Sequence, residues 1–173
     1  MTALVSPSLV ATGQTTEHFK AERIERTASF VVKAPVEKAF PLFGPVREME
    51  WCTGWEPQVI YTTDPYVEEH MVFQSQPRFD NEPPYLWLIT QFQPEAHFVE
   101  YTVSTNERVW FISVKCAPEG DHTKVTVRYR FTGLTPRGNA LNRLALESMY
   151  ANNLQDWEDE IDRYLQAHPQ THK

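Results

Sequence analysis

Apolar and polar positions alternate with a period of two over most of residues 26 to 134; past residue 136 the spacing lengthens to three and four. The first pattern predicts strands and the second a helix. "RTASFVVKAP" (26–35) reads as a strand ended by Pro35, with Ala28, Phe30 and Val32 on one face and Ser29, Val31 and Lys33 on the other. Further strand-like runs follow at 56–63, 69–76, 85–93, 97–105, 108–118 and 123–134. Pro, Gly, Asp and Asn occupy the gaps, which favours consecutive antiparallel hairpins. In the last run Val125, Val127, Tyr129 and Phe131 alternate with Thr126, Arg128 and Arg130, so one face is buried and the other wet. Trp110, Ile112, Val114 and Cys116 oppose Ser113 and Lys115 in the same way, as Val99, Tyr101 and Val103 oppose Glu100, Thr102 and Ser104. "YLWLITQFQ" (85–93) is apolar on both faces, and its periodicity leaves its orientation open.

Two stretches break the strand series. "PVEKAFPLF" has Val36, Ala39, Phe40 and Phe43 at helical spacing, while Pro41 limits any regular helix, so a short kinked pair of helical turns is expected to about Met49. From about Pro136 to Gln166, Leu141, Leu144, Ala145, Tyr150, Leu154, Trp157, Ile161, Tyr164 and Leu165 form one apolar stripe opposite an acidic face. The expectation is one long helix of roughly 40 Å at 1.5 Å per residue, with Pro169 as its stop. A curved antiparallel sheet with one apolar face needs a cover. Only this helix is long enough, and where it leaves the concave side unfilled a pocket remains.

The 173 residues suit one domain: an arm at 1–20, a domain at 21–168 and a tail at 169–173. Aromatic residues make up 13%, so the interior is expected to be lined with rings. The net charge of −7, with no basic run, argues against nucleic acid as a partner. The N-terminus lacks the basic region of a signal peptide, and no stretch reaches a membrane-spanning length; a cytoplasmic location is the expectation. Cys52 and Cys116 form no CxxC pair, and two free thiols are the plain reading, one disulfide the other.

Candidate chemistry is sparse. No GxSxG, HExxH, HxH or glycine-rich phosphate loop occurs, so no metal or cofactor is expected. The six histidines share no motif with either cysteine. Glu48 and Glu50 are read first as a surface pair with Arg47 or a cap on the helical turn; a carboxylate held beside an apolar cavity would instead have a raised pKa and serve as acid or base. Arg128 and Arg130 fall on the wet face and suit surface pairing with carboxylates.

Two motifs carry a resemblance. "APVEKAFPLFGPVREMEWCTGWEP", ending in W-x-x-G-W-x-P, and "VRYRFTGLTPRGN" resemble a bacterial group within the START and pollen-allergen-like superfamily, often called SRPBCC, and the likeness spans roughly residues 24 to 166. It implies an α+β helix-grip fold: about seven antiparallel strands curved around a long C-terminal helix, with two short helices after the first strand. It also implies an apolar cavity, but no particular reaction. On that reading Trp51 and Trp55 either frame the rim of the cavity, with Gly54 allowing the turn between them, or plug its end. Phe43, Phe73, Trp87, Tyr101, Trp110 and Tyr129 are the candidates for its lining, and the two tyrosines offer hydroxyls to orient a guest. The expected partner is a small hydrophobic or aromatic molecule, lipid-like or polyketide-like. The alternatives are a polyketide cyclase or dehydrase-like enzyme using the same cavity, and a protein-binding module. A packed interior with no room for a guest stays open, as does the oligomeric state, a homodimer included.

Overall fold

The computed structural model describes residues 19–169. Most of the expected arm (1–18) and of the tail (170–173) lies outside them. Seven strands form one antiparallel sheet: β1 (Arg23–Val32), β2 (Gln58–Tyr61), β3 (Val72–Ser75), β4 (Tyr85–Gln93), β5 (Phe98–Ser104), β6 (Arg108–Glu119) and β7 (His122–Gly133). Their order is β1-β7-β6-β5-β4-β3-β2, so β2 through β7 are neighbours in sequence and β1 closes the far side against β7. Between β1 and β2 the chain runs through α1 (Val36–Ala39) and two 3-10 turns, Phe40–Leu42 and Arg47–Glu50. Two helices follow the sheet, α2 (Pro136–Met149) and α3 (Gln155–Ala167). This is the helix-grip architecture that the sequence resemblance implies.

Alternation decides which side is the core. Phe30 and Val32 of β1, Val99, Tyr101 and Val103 of β5, Trp110, Ile112 and Val114 of β6, and Val125, Val127, Tyr129 and Phe131 of β7 are all buried. Strand β4, apolar on both sides, is oriented by its register. Trp87 pairs with Val103 and Ile89 with Tyr101, then the pairing jumps so that Gln91 meets Glu100. The bulge at Thr90 shifts the alternation by one residue. Tyr85, Trp87 and Ile89 therefore face the core before the bulge and Phe92 packs against it afterwards, while Leu86 is exposed. A strand that changes parity midway shows no single period in its sequence.

The single long helix expected over 136–166 is corrected to two. Helix α2 starts at Thr135, whose side chain accepts from the Gly138 amide at 3.0 Å, with Pro136 in the first turn. It ends at Tyr150, and Asn153 and Leu154 take left-handed backbone angles before α3 begins. Helix α2 packs on β7 and α3 on β1, so the break lets two straight rods follow a curved sheet. Tyr150 pins the corner. Its ring is buried, and its hydroxyl accepts from the Tyr129 amide at 3.2 Å and lies 2.9 Å from the Arg26 carbonyl. Tyr150, Leu154, Trp157 and Ile161 keep a four-three-four spacing across the break, and that spacing conceals it.

Gly138 marks the closest approach of α2 to the sheet: a Cβ there would stand 1.9 Å from the Glu107 carbonyl oxygen. On the wet face, Arg128 reaches Glu25 at 2.6 Å and Arg130 reaches it at 3.9 Å. Strand β2 is an edge, and Val59, Ile60 and Tyr61 are exposed on it. No helix among the described residues is long and apolar enough to cross a membrane.

Candidate functional site

Between the concave face of the sheet and the two helices lies a cavity of about 290 Å³. An apolar cavity of about 150 Å³ admits benzene, so this one has room for a two-ring molecule. Sheet register builds its floor. Phe73 of β3 lies opposite Trp87 of β4, which pairs with Val103, and Val103 in turn pairs with Trp110 beside Phe131. One step along, Tyr101 pairs with Ile112 and Ile112 with Tyr129. Ala145 and Met149 of α2 and Trp157 of α3 form the roof. The lining reaches exposed residues at Thr53, Gly54 and Glu56 and again at Gln76 and Arg78, so the mouth lies between those two loops.

Of the eight residues expected at the site, Trp55, Phe73, Trp87, Tyr101, Trp110 and Tyr129 lie on the cavity wall, and Phe43 and Trp51 do not. The latter two form a plug behind it. Trp51 is 6% exposed, donates its indole N–H to the Leu42 carbonyl at 2.9 Å, and meets Phe43 and Trp157 edge-on at 6.0 and 5.8 Å. Trp55, four residues on, is half-buried and donates to the Pro45 carbonyl at 2.8 Å. Its ring stands edge-on to Trp87 at 5.3 Å, and Trp87 stacks on Phe73 at 5.3 Å. Gly54, with φ of +78°, turns the chain between them. The two tryptophans of one motif thus have different jobs, one filling and one framing.

Glu48 corrects the surface-pair expectation. The 3-10 turn places Arg47 and Glu50 on one row, where they pair at 2.8 Å. Glu48 is aimed the other way, into the cavity lining. Burial pushes its carboxyl up to about 8, partly offset by the hydrogen bond from Tyr101. Burial and the neighbouring Glu48 in turn raise the Tyr101 hydroxyl well above its ordinary value. Tyr129 is raised too, first by burial. Cys52 lines the cavity nearby, and burial raises its thiol to about 12, so it is a poor nucleophile at neutral pH. Both cysteines are free. No group of three or more His, Cys, Asp or Glu residues is arranged to hold a metal among the described residues.

Sequence reasoning also passed over Arg108 and Glu82. Arg108 is 1% exposed and lines the cavity. Its Nε and Nη2 donate to the two oxygens of Glu82, each at 2.8 Å, and Nη2 also donates to the Tyr85 hydroxyl at 2.9 Å. Tyr85 donates to Glu82 in turn and accepts from the Arg78 amide at 3.0 Å. A signal for Arg108 was present: it has the same parity as Trp110, Ile112, Val114 and Cys116, a cation at the start of an apolar row. Glu82 sits in the Asn81–Pro84 loop, and nothing in its neighbours announces that it turns inward.

Comparison with known proteins follows the fold. Norcoclaurine synthase from Thalictrum flavum, in complex with dopamine and hydroxybenzaldehyde, superposes with a TM-score of 0.66 at 10% identity, covering 99% of this chain and 100% of that one. An uncharacterised protein from Rhizobium leguminosarum superposes with a TM-score of 0.59 at 15% identity, over 86% of this chain and 98% of that one. Ara h 8.0201 gives 0.59 at 12% identity, over 86% and 100%. At such identities the likeness is one of fold. Among curated proteins none matches the sequence. The family described as polyketide cyclase / dehydrase and lipid transport matches residues 23–162. The chain belongs to that family, within the SRPBCC superfamily.

Proposed function

We propose that this protein binds one small aromatic or otherwise apolar molecule, lipid-like or polyketide-like, in the cavity between its sheet and α2 and α3. The observation that carries the reading is the ring-lined space of about 290 Å³ inside a fold whose family is described by cyclase, dehydrase and lipid-transport roles. The related fold of norcoclaurine synthase, seen with dopamine and hydroxybenzaldehyde, supports an aromatic guest. Binding draws on apolar surface leaving water, at roughly 25 cal/mol per Å². A cytoplasmic location is part of this proposal, and the free thiols of Cys52 and Cys116 agree with a reducing compartment. Native mass spectrometry of protein purified from its own cells tests the reading. A non-covalent apolar adduct is the expected result. A bare protein that also takes up no added two-ring aromatic overturns it.

A second reading rests on Glu48. A carboxyl with pKa of about 8, facing the cavity beside Tyr101, exchanges a proton near neutral pH, as a cyclase or dehydrase requires. This reading expects solvent deuterium to enter acidic C–H positions of a bound ketone. Glu48→Gln should abolish that exchange while binding persists; exchange at the wild-type rate in the variant removes Glu48 from the chemistry.

A further inference from the structure

The cavity lining carries two arginines, and they are placed differently. Arg108 is buried and neutralised by Glu82. Arg78 stands at the mouth, is exposed, and forms an ion pair with no carboxylate among the described residues. Its backbone is held in place. The Arg78 amide donates to the Tyr85 hydroxyl at 3.0 Å, and Tyr85 belongs to the buried cluster with Glu82 and Arg108. The paired charges inside thus brace the loop that carries the unpaired cation at the opening.

The Arg78 side chain acts across the opening rather than away from it. Burial raises the Tyr129 hydroxyl on the cavity floor and raises the Cys52 thiol to about 12, and the positive charge of Arg78 offsets part of both rises. Glu56 on the facing lip is exposed as well, but it is not among the charges that shift either group. Inside, burial raises Glu48 to about 8, so near neutral pH it adds little negative charge to the cavity. The container is therefore apolar within and carries one uncompensated cation at its mouth. Resting on the cavity-binding reading above, we infer that the ligand is amphipathic, an apolar body bearing one carboxylate, and that Arg78 holds that carboxylate at the mouth. A planar guanidinium fork matches both oxygens of a carboxylate. A carboxylate placed there keeps part of its water and avoids the full cost of burying a charge. Arg78 thereby sets the direction of the guest: the apolar body enters first, and the acid stays at the opening.

The test uses three naphthalenes of nearly one shape: 2-naphthoate with a negative charge, 2-acetylnaphthalene with none, and 2-naphthylmethylamine with a positive one. Dissociation constants come from equilibrium dialysis at neutral pH. Naphthoate should bind tightest and the amine weakest. In Arg78→Gln, naphthoate should weaken about fivefold or more, the upper scale of an exposed charge pair, while the ketone stays within about twofold and so reports an intact fold and cavity. Arg78→Lys should keep part of the naphthoate affinity, as a point charge without the fork. A salt series on the unaltered protein gives a reading independent of any variant. Raising salt from about 0.01 M to about 1 M shortens the screening length from about 30 Å to about 3 Å, and the ratio of naphthoate to ketone affinity should fall with it. Naphthoate no tighter than the ketone, the amine binding tightest, a ratio indifferent to salt, or a naphthoate preference that survives in Arg78→Gln would each overturn the inference and leave the cavity reading standing. If none of the three binds, both fall.

Discussion

The hydroxyl of Tyr101 lies 3.5 Å from a carboxylate oxygen of Glu48 and 3.3 Å from the carbonyl oxygen of Phe43. One phenol thus ties together the sheet, the plug behind the cavity and an acidic side chain that lines the cavity beside it. It also fixes where a proton is held. Burial raises the pKa of a carboxyl in this position to about 8, which favours the protonated form over the ionised one.

That protonation makes stability depend on pH. The folded-state pKa of Glu48 is raised from 4.5 to about 8, so between those values the folded protein holds a proton that the unfolded chain has released. Stability contributed by this group is then greatest below about pH 4.5 and falls as pH rises toward 8. At 1.36 kcal/mol per pKa unit, the loss across that window is at most about 5 kcal/mol. Glu48→Gln, which stays neutral throughout, should lack this slope. Urea titrations of both proteins at several pH values measure it, and parallel profiles would show that Glu48 is ionised in the folded state.

The two tryptophans of the W-x-x-G-W motif should separate stability from binding. Trp51→Ala empties a packed plug and is expected to cost about 3–5 kcal/mol, seen as a large drop in melting temperature. Trp55→Ala removes one wall ring that touches Phe73 and Trp87, and is expected to weaken binding of 2-acetylnaphthalene about two- to tenfold while the fold is kept. Calorimetric melting and dialysis on the two variants make the comparison. Equal effects of both on binding would erase the distinction between plug and wall.

Removing one member of the Arg108–Glu82 pair leaves the other charged in the interior. Arg108→Met alone and Glu82→Gln alone should each destabilise the protein by about 3–5 kcal/mol, and the double variant by much less. A double variant as unstable as the sum of the singles would mean that the two residues act independently, against the bidentate geometry seen here.

Asn142 of α2 is 1% exposed, and neither end of its amide finds a partner among the described residues. Asn142→Leu keeps the approximate shape and removes the unsatisfied groups, so it should raise stability by about 1–3 kcal/mol. A lower melting temperature would show that the amide is satisfied in solution, by water or by a bound molecule.

Much of the fold was legible because alternation is a local property. The faces of β5, β6 and β7 follow from which residues are apolar, and those faces, once paired in register, bring Tyr101, Trp110 and Tyr129 to one wall. Legibility failed where neighbours far along the chain make the decision. Strand β4 changes parity at a bulge set by its pairing with β5. The apolar stripe from Tyr150 to Ile161 continues through a break at Asn153 and Leu154, beyond which α3 packs on β1 while α2 packs on β7.

The site divides along the same line. The sequence by itself determined that the interior is crowded with rings on one face of an antiparallel sheet, because side-chain direction in a strand depends only on position. Tertiary structure alone decided which rings pack and which face open space, that Glu48 turns inward while Glu50 takes Arg47, and that Arg108 meets Glu82 across 26 residues. Burial and charge pairing depend on what the rest of the chain brings to the same point, and no local pattern encodes that.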